Sequence, residues 1–263
     1  MMKSQEEYEE NERIGSQKDL PICTDDDFLL MFLRNKKFDI KRSFEQCSNY
    51  SYQRHAMMNY YGFMFADKIM APLYHNICGI LPYRDHEGNI IIYFRANQYN
   101  SSICEPDDVL RAVQAIGHFV LTFPATQICG LALIADLKVE SLQVLQLLAR
   151  YVKWALPSLH AFPARFRKIN CVNTHIFVRT MVNLFRSLAP VKLLKRTTFH
   201  DSDAKALLKT YDASLLPEEF GGTMGPLKDV SQFYLQKFED FIPKLQASNF
   251  YYKRKNTIPF PES

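Results

Sequence analysis

The stretch FRKINCVNTHIFVRTMVNLFRSL, residues 166–188, decides the architecture that we predict for this chain. It opens with a short β-type run, Lys168 to Val172, and turns at Asn173-Thr174. The residues after this turn fit an α-helix in which the polar and apolar side chains separate onto two faces at about 100° per residue. Its apolar face consists of Phe177, Val178, Met181, Val182, Leu184, Phe185 and Leu188. A strand followed at once by an amphipathic helix is typical of an α/β unit.

Two interpretations of this helix are open on the sequence alone. It either packs on a core as an ordinary surface helix, or covers an apolar cavity. Pro190 ends the helix, and the basic residues Lys192, Lys195 and Arg196 follow immediately. A helix, a stop and a positively charged patch in succession favour a flap over an apolar cavity, beside a surface that attracts anions.

The rest of the chain divides into an all-helical beginning and an alternating α/β part. Helices are predicted from residue 25 and from Asp39, and the pattern changes at about residue 77. Strands are predicted at Ile90–Phe94, Ile128–Ala135, Lys168–Val172 and Lys195–His200. Helices are predicted between these strands, from Pro106, from Ser141 to Pro157 and from Ser202 to Tyr211. Strands that alternate with helices predict a largely parallel sheet covered by helices.

Composition and motifs exclude several classes of protein. A net charge of +4 is too mild to favour a nucleic-acid-binding protein. The six cysteines form no CxxC pair, and no histidine or cysteine has metal-ligand spacing, so we predict no metal site. No P-loop, GxGxxG or GxSxG motif is present, and nothing in the sequence argues for an enzyme. The polar start of the chain and the lack of a long apolar run predict a cytoplasmic protein with reduced thiols.

Four segments of the sequence, in order along the chain, resemble the CRAL-TRIO family. They are DDDFLLMFLRNKKFDIKRSF at 25–44, EGNIIIYFR at 87–95, AFPARFRKINCVN at 161–173 and LLPEEFGG at 215–222. This family contains retinaldehyde-binding, tocopherol-transfer and phosphatidylinositol-transfer proteins. The resemblance covers about residues 24 to 235 and is strongest to the tocopherol-transfer branch.

The resemblance implies a division of the chain into three parts. Residues 1–70 are expected to form the N-terminal helical module, and residues 71–235 the α/β lipid-binding domain with an apolar cavity under a gate helix. Residues 236–263 are expected to form a C-terminal helix and tail. The amphipathic helix after Thr174 falls at the position of the gate. We expect a monomer with no cofactor other than the bound lipid.

The sequence departs from the family at positions that bear on this site. The family often has Asp followed three residues later by Gly after its central strand, whereas here Asp136 is followed by Val139. The Pro that often begins the gate segment is His175 in this chain. Two serines near the chromanol in the tocopherol branch correspond to Val113 and Gly117, which implies a more apolar pocket.

Two sets of site residues are predicted. Strand alternation places Ile169 and Cys171 on one face of their strand. With the gate helix and the helix beneath it, the predicted lipid cavity is lined by Val113, Gly117, Ile169, Cys171, Phe177, Val178, Met181 and Phe185. The resemblance to the tocopherol branch implies a phosphoinositide-binding cleft formed by Arg54, Lys192, Arg196 and Lys205. Leu194 stands where that branch has a further Lys. The alternatives are an ordinary core for the first set and a solvated basic edge for the second.

The expected function is that of a cytoplasmic carrier for one small hydrophobic lipid, such as a retinoid, a tocopherol or a carotenoid. Burial of apolar ligand surface at roughly 25 cal/mol per Å² would supply the affinity without a catalytic group. Transfer would take place during transient, peripheral contact with phosphoinositide-containing membranes. Two alternatives stay open: a phosphoinositide-binding docking module without a transferred cargo, and an enzyme that the motifs do not reveal.

Overall fold

In the computed structural model the described residues are 25–61, 66–174, 180, 191–200 and 204–254, and the side chains at 54–61, 151–160 and 247–254 are not described. Apart from Thr180, the predicted gate helix therefore lies outside the described residues.

Three helices precede the sheet: α1 (Asp26–Asn35), α2 (Ile40–Tyr61) and α3 (Ala66–Tyr74). Helices α1 and α2 pack around a small core that contains Phe32, Cys47 and Tyr50. The rings of Phe32 and Tyr50 meet edge to face with centroids 5.5 Å apart, a favourable arrangement for aromatic pairs. The predicted helical beginning of the chain is thus confirmed.

The described residues form a five-stranded sheet in the order β1-β2-β3-β4-β5. Its strands are β1 (Cys78–Arg84), β2 (Ile90–Arg95), β3 (Leu131–Asp136), β4 (Phe166–Val172) and β5 (Thr197–Phe199). Strand β1 runs antiparallel to β2, and the other neighbours are parallel. The connecting helices are α4 (Pro106–Leu121), α5 (Pro124–Cys129), α6 (Leu142–Ala161) and α7 (Val191–Leu194), and α8 (Leu227–Val230) and α9 (Gln232–Arg254) follow. The prediction of a largely parallel sheet with helical crossovers is confirmed.

Four details differ from the sequence-based prediction. Strand β1 was not foreseen. Strand β3 begins only at Leu131 and not at Ile128, because Pro124 opens the short helix α5 and Gly130 turns the chain with φ +116°. Helix α6 continues past Pro157. The proline removes one backbone hydrogen bond, and this loss costs less free energy than packing of the helix provides. The predicted helix from Ser202 to Tyr211 is a 3-10 helix over Ala204–Lys209 within the described residues.

The two faces of the sheet are covered by different structures. On one face, which we call the helix face, the strands pack against α3, α4, α6 and α9 in one apolar core. On the other, which we call the turn face, they pack against the succession of 3-10 helices and turns at residues 204–230. Because side chains alternate along a strand, each strand contributes to both cores. None of the described helices is long and apolar enough to cross a membrane.

Candidate functional site

Two side chains in the middle of the helix face, Ile92 and Leu133, are incompletely covered. The strand register aligns Ile80, Ile92, Leu133, Ile169 and Thr197 from β1 to β5. Ile92 and Leu133 are only partly buried, although their strands lie inside the sheet and their neighbours along the strands are buried. Strands of a parallel sheet with both faces covered are normally buried throughout. Some apolar surface therefore remains accessible at Ile92 and Leu133, and we call the five aligned residues the apolar row.

Two of the predicted cavity residues, Ile169 and Cys171, lie on this face of β4. Ile169 is 7% exposed and Cys171 6% exposed, and both belong to the core of the helix face. Val113 of α4 is partly buried and packs against the same core. Burial raises the pKa of the Cys171 thiol to about 12, as expected for a thiol in apolar surroundings.

Gly117 is covered by an aromatic ring. A Cβ atom at this position would lie 2.8 Å from Cζ of Phe162, so only glycine lets the ring approach α4 so closely. Phe162 also contacts the ring of His118, whose nitrogen shares a 2.9 Å hydrogen bond with the Tyr50 hydroxyl. The role of Gly117 in a cavity stays a prediction, and its direct neighbour is this ring.

The remaining predicted cavity residues, Phe177, Val178, Met181 and Phe185, lie outside the described residues. The chain that leads to them leaves β4 in a fixed conformation. Asn173 has φ +54°, and its side-chain amide donates a 2.9 Å hydrogen bond to Oδ1 of Asp136. The hydroxyl of Thr174 donates to the carbonyl of His200 at 2.8 Å. The start of the crossover from β4 to the parallel strand β5 is thus anchored at the carboxyl edge of the sheet.

Several basic side chains meet at the opposite edge, where β4 begins. Lys192 and Arg196 are exposed there, and Nη1 of Arg196 donates a 2.7 Å hydrogen bond to the carbonyl of Phe166. Partial burial, and then the charges of Arg42 and Lys192, lower the pKa of Lys36. The predicted site residue Lys192 therefore lies near cations of the N-terminal helices.

A second group of cations adjoins the first. Partial burial, and then the charges of Arg167 and Arg196, lower the pKa of Arg165. We call the whole set the basic cluster; it consists of Lys36, Arg42, Arg165, Arg167, Lys192 and Arg196. Mutual repulsion among these cations would be relieved by a bound polyanion, and guanidinium groups hold phosphate with paired hydrogen bonds.

Hydrogen bonds fix the N-terminal helices against the start of β4. Nη2 of Arg165 donates to the carbonyls of Arg34 at 2.5 Å and of Asn35 at 3.3 Å, the last residues of α1. These carbonyls lack partners within their own helix, so the guanidinium caps it. The Asn35 amide donates to Oε1 of Gln46 at 2.9 Å, and the Gln46 amide donates to the carbonyl of Phe162 at 3.1 Å. This chain of bonds holds Lys36, just after α1, beside Lys192.

Sequence reasoning had not foreseen that Lys36, Arg42, Arg165 and Arg167 belong to the basic cluster. The alternating arginines of FPARFR, before a strand, are the one local signal for two of them. Arg54 lies in α2, but its side chain is not described. Lys205 is exposed in the segment that covers the turn face, with its Cγ 3.2 Å from the site of a Cβ on Gly221. The roles of Arg54 and Lys205 stay predictions.

A metal site is not formed by the described part of the chain. No cluster of three or more His, Cys, Asp or Glu side chains that could hold a metal ion occurs there. The described cysteines, Cys47, Cys78, Cys104, Cys129 and Cys171, are free thiols. The site consists of an apolar row on one face of the sheet and a basic cluster at one edge.

Comparisons with known proteins bear on the fold and the family of this chain. The profile of the CRAL/TRIO domain matches residues 74–222. The chain is 31% identical to clavesin-1 of Rattus norvegicus over 209 residues, which are 78% of this chain and 59% of that protein. It is 26% identical to an alpha-tocopherol transfer protein-like protein of Mus musculus over 227 residues, 85% of this chain and 66% of that one. The crystal structure of Sfh5 superposes with a TM-score of 0.57 at 10% identity, over 85% of this chain and 81% of Sfh5, which shows the fold alone.

Proposed function

Because the chain belongs to the CRAL/TRIO domain family of lipid-binding proteins, we propose that it carries one small hydrophobic lipid in front of the apolar row and releases it at phosphoinositide-containing membranes. The protein would then work in the cytoplasm and touch membranes transiently, as a carrier and not as an enzyme. A retinoid, a tocopherol or a carotenoid has the size and polarity that this proposal requires.

The observation that carries the proposal is the incomplete burial of Ile92 and Leu133 inside a sheet whose other face is sealed. Accessible aliphatic surface in the centre of a fold is unfavourable unless something apolar covers it. A lipid that covers the apolar row would gain roughly 25 cal/mol for each Å² of apolar surface removed from water. Such a site needs no catalytic group, and a binding role is sufficient to explain it.

The basic cluster supports the second half of the proposal. It contains Lys192 and Arg196, both of which were predicted for a phosphoinositide cleft, and adds cations from the end of α1, from α2 and from the start of β4. Convergence of several donors is what a bisphosphorylated headgroup requires. Lys192 directly follows the crossover that leads from Thr174 back to α7. Binding at the cluster would therefore bring this crossover against the bilayer and couple headgroup recognition to release of the cargo.

The test is one double variant and two single variants, each measured for vesicle binding, lipid transfer and cargo affinity. Lys192→Ala with Arg196→Ala should abolish binding to vesicles that contain a bisphosphorylated phosphoinositide and slow lipid transfer, while cargo affinity stays unchanged. Lys36→Ala should weaken the same binding. Lys228→Ala, an exposed lysine on the turn side, is the matched control and should bind as the parent does.

Two results would count against the proposal. If the double variant binds these vesicles as tightly as the parent at physiological salt, the basic cluster is a solvated edge. If mass spectrometry of an organic extract of the purified protein finds no lipid in stoichiometric amount and none can be loaded, the chain is a docking module without cargo.

A further inference from the structure

Three large apolar side chains are exposed together at the junction of α1 and α2. Phe38 is 63% exposed, Ile40 78% and Phe44 65%. Single exposed apolar residues are common on any protein, but a group of them within one short segment marks a contact surface. We call these three residues the apolar wedge.

The wedge is held by a defined backbone and does not sit on a loose loop tip. Lys37 and Phe38 have φ +58° and +63°, a conformation that residues other than glycine seldom adopt. The amide of Phe38 donates a 2.7 Å hydrogen bond to the carbonyl of Leu33, and the amide of Arg42 donates to Oδ1 of Asp39 at 3.1 Å. Ile40 and Phe44 are four residues apart on α2 and so project from the same side of the helix.

Cations surround the wedge. Residues 36–45 contain Lys36, Lys37, Lys41 and Arg42 against the acids Asp39 and Glu45, which gives a local charge of +2 (four minus two). Long basic side chains beside apolar ones can keep their charges in the headgroup layer while the apolar groups lie deeper. This combination fits an anionic lipid surface better than it fits an ordinary protein surface.

The wedge lies on the same side of the molecule as the basic cluster. Lys36, two residues before Phe38, is close enough to Lys192 for its pKa to be lowered by that charge. Val191, the neighbour of Lys192, is 68% exposed as well. Exposed apolar groups therefore flank the basic cluster on both the N-terminal helices and α7.

We propose that the N-terminal helices dock on anionic membranes through this wedge, with Phe38, Ile40 and Phe44 inserted among the lipids and the neighbouring lysines and Arg42 on the headgroups. The wedge deepens the proposed function and rests on it: the cluster would recognise the phosphoinositide, and the wedge would hold the protein on the bilayer whichever anionic lipid is present. The contributions of the basic cluster and the wedge to membrane binding can be separated, because a soluble headgroup binds only to the cluster.

The test uses the full chain and two probes. Phe38→Asn keeps a residue that tolerates the left-handed backbone, and Phe44→Gln keeps a good helix former. Leu142→Gln is the matched control, because Leu142 is also an exposed apolar residue, 68% exposed, at the first residue of α6. The other end of α6, at Ala161, packs on α1 and α2, and it lies about 28 Å away along the helix. The probes are phosphatidylcholine vesicles that contain phosphatidylserine, and a soluble inositol trisphosphate.

The Phe38→Asn, Phe44→Gln variant should bind the vesicles about a hundredfold more weakly than the parent, because two aromatic side chains no longer insert. Its affinity for soluble inositol trisphosphate and its unfolding midpoint should equal those of the parent, and Leu142→Gln should change nothing. Unchanged vesicle binding would overturn the proposal. Unchanged vesicle binding together with a lower unfolding midpoint would mean that these side chains pack against another part of the chain.

A different result of the same experiment would refute the proposed function and leave the wedge intact. If the parent does not bind inositol trisphosphate but still binds phosphatidylserine vesicles through the wedge, the basic cluster is not a phosphoinositide site and the wedge stands.

Discussion

The two faces of the sheet are built from the same strands and differ in how tightly they are closed. On the turn face, Ile91, Ala132, Ile134 and Val172 are all 0% exposed. On the helix face, Ile92 and Leu133 alternate with those residues and stay partly buried. Adjacent positions of one strand thus experience a sealed core on one side and accessible apolar surface on the other.

The turn face is sealed by the segment that contains LLPEEFGG. Phe220 is 0% exposed against the ring of Tyr93, and a Cβ on Gly222 would lie 1.9 Å from the carbonyl oxygen of Leu216. Such close approach leaves no room for a ligand there. The difference shows that these turn-face positions are closed, whereas the larger core on the helix face contains two side chains, Ile92 and Leu133, that are incompletely covered.

The largest expected effect is on stability. Phe220→Ala should lower the free energy of unfolding by about 3–5 kcal/mol, since it opens a cavity in a fully closed core. Leu133→Ala should cost only about 1–2 kcal/mol in cargo-free protein, because that side chain is already partly accessible. Urea unfolding of both variants measures the two values, and equal losses would show that the helix face is as closed as the turn face.

Substitutions that enlarge a side chain compare the same two faces, with a smaller expected loss of stability. Ile134→Phe should destabilise the protein by about 1–3 kcal/mol, the usual cost of overpacking. Leu133→Phe, one position earlier on the opposite face, should cost less than about 1 kcal/mol because that side chain is only partly buried. If the two substitutions are equally destabilising, the space in front of Leu133 is too small for a cargo.

The smallest expected effect is on thiol reactivity. Because burial raises the pKa of the Cys171 thiol to about 12, only a small fraction of this thiol is ionised at pH 8. It should be alkylated much more slowly than Cys129, which is partly exposed. Raising the pH should accelerate the reaction of Cys171 because more of the thiol ionises, and under the proposed function so should removal of the cargo. Peptide mapping after timed alkylation gives both rates; a rate that is indifferent to lipid removal would place Cys171 away from the cargo.

Much of the fold follows from local sequence. The β-branched run of β2 and the alternation in β4 identify their strands, and the helices between them predict the parallel order. Strand β1, CGILPYR, escapes such reasoning because Gly79 and Pro82 are poor strand formers. Pro82 is tolerated because β1 is an edge strand, which only the assembled sheet reveals.

The candidate site, like the fold, could be predicted from the sequence only in part. Alternation along β4 is sufficient to place Ile169 and Cys171 on one face, and the run after Pro190 points to Lys192 and Arg196. The contribution of Lys36 depends on hydrogen bonds between α1 and the loop before β4, and no local pattern encodes such a contact. The partial burial of Leu133 is likewise a property of the packed sheet, since its sequence neighbours are equally apolar.

The central claim is that a lipid covers the apolar row, and native mass spectrometry of the purified protein tests it most directly. The account predicts one bound lipid per chain in the parent, about the same loading in Ile134→Phe, and loss of the lipid in Leu133→Trp, which fills the space while the protein stays folded. An equal lipid content in the parent and in folded Leu133→Trp, or a parent that carries no lipid and cannot be loaded with any, would contradict it.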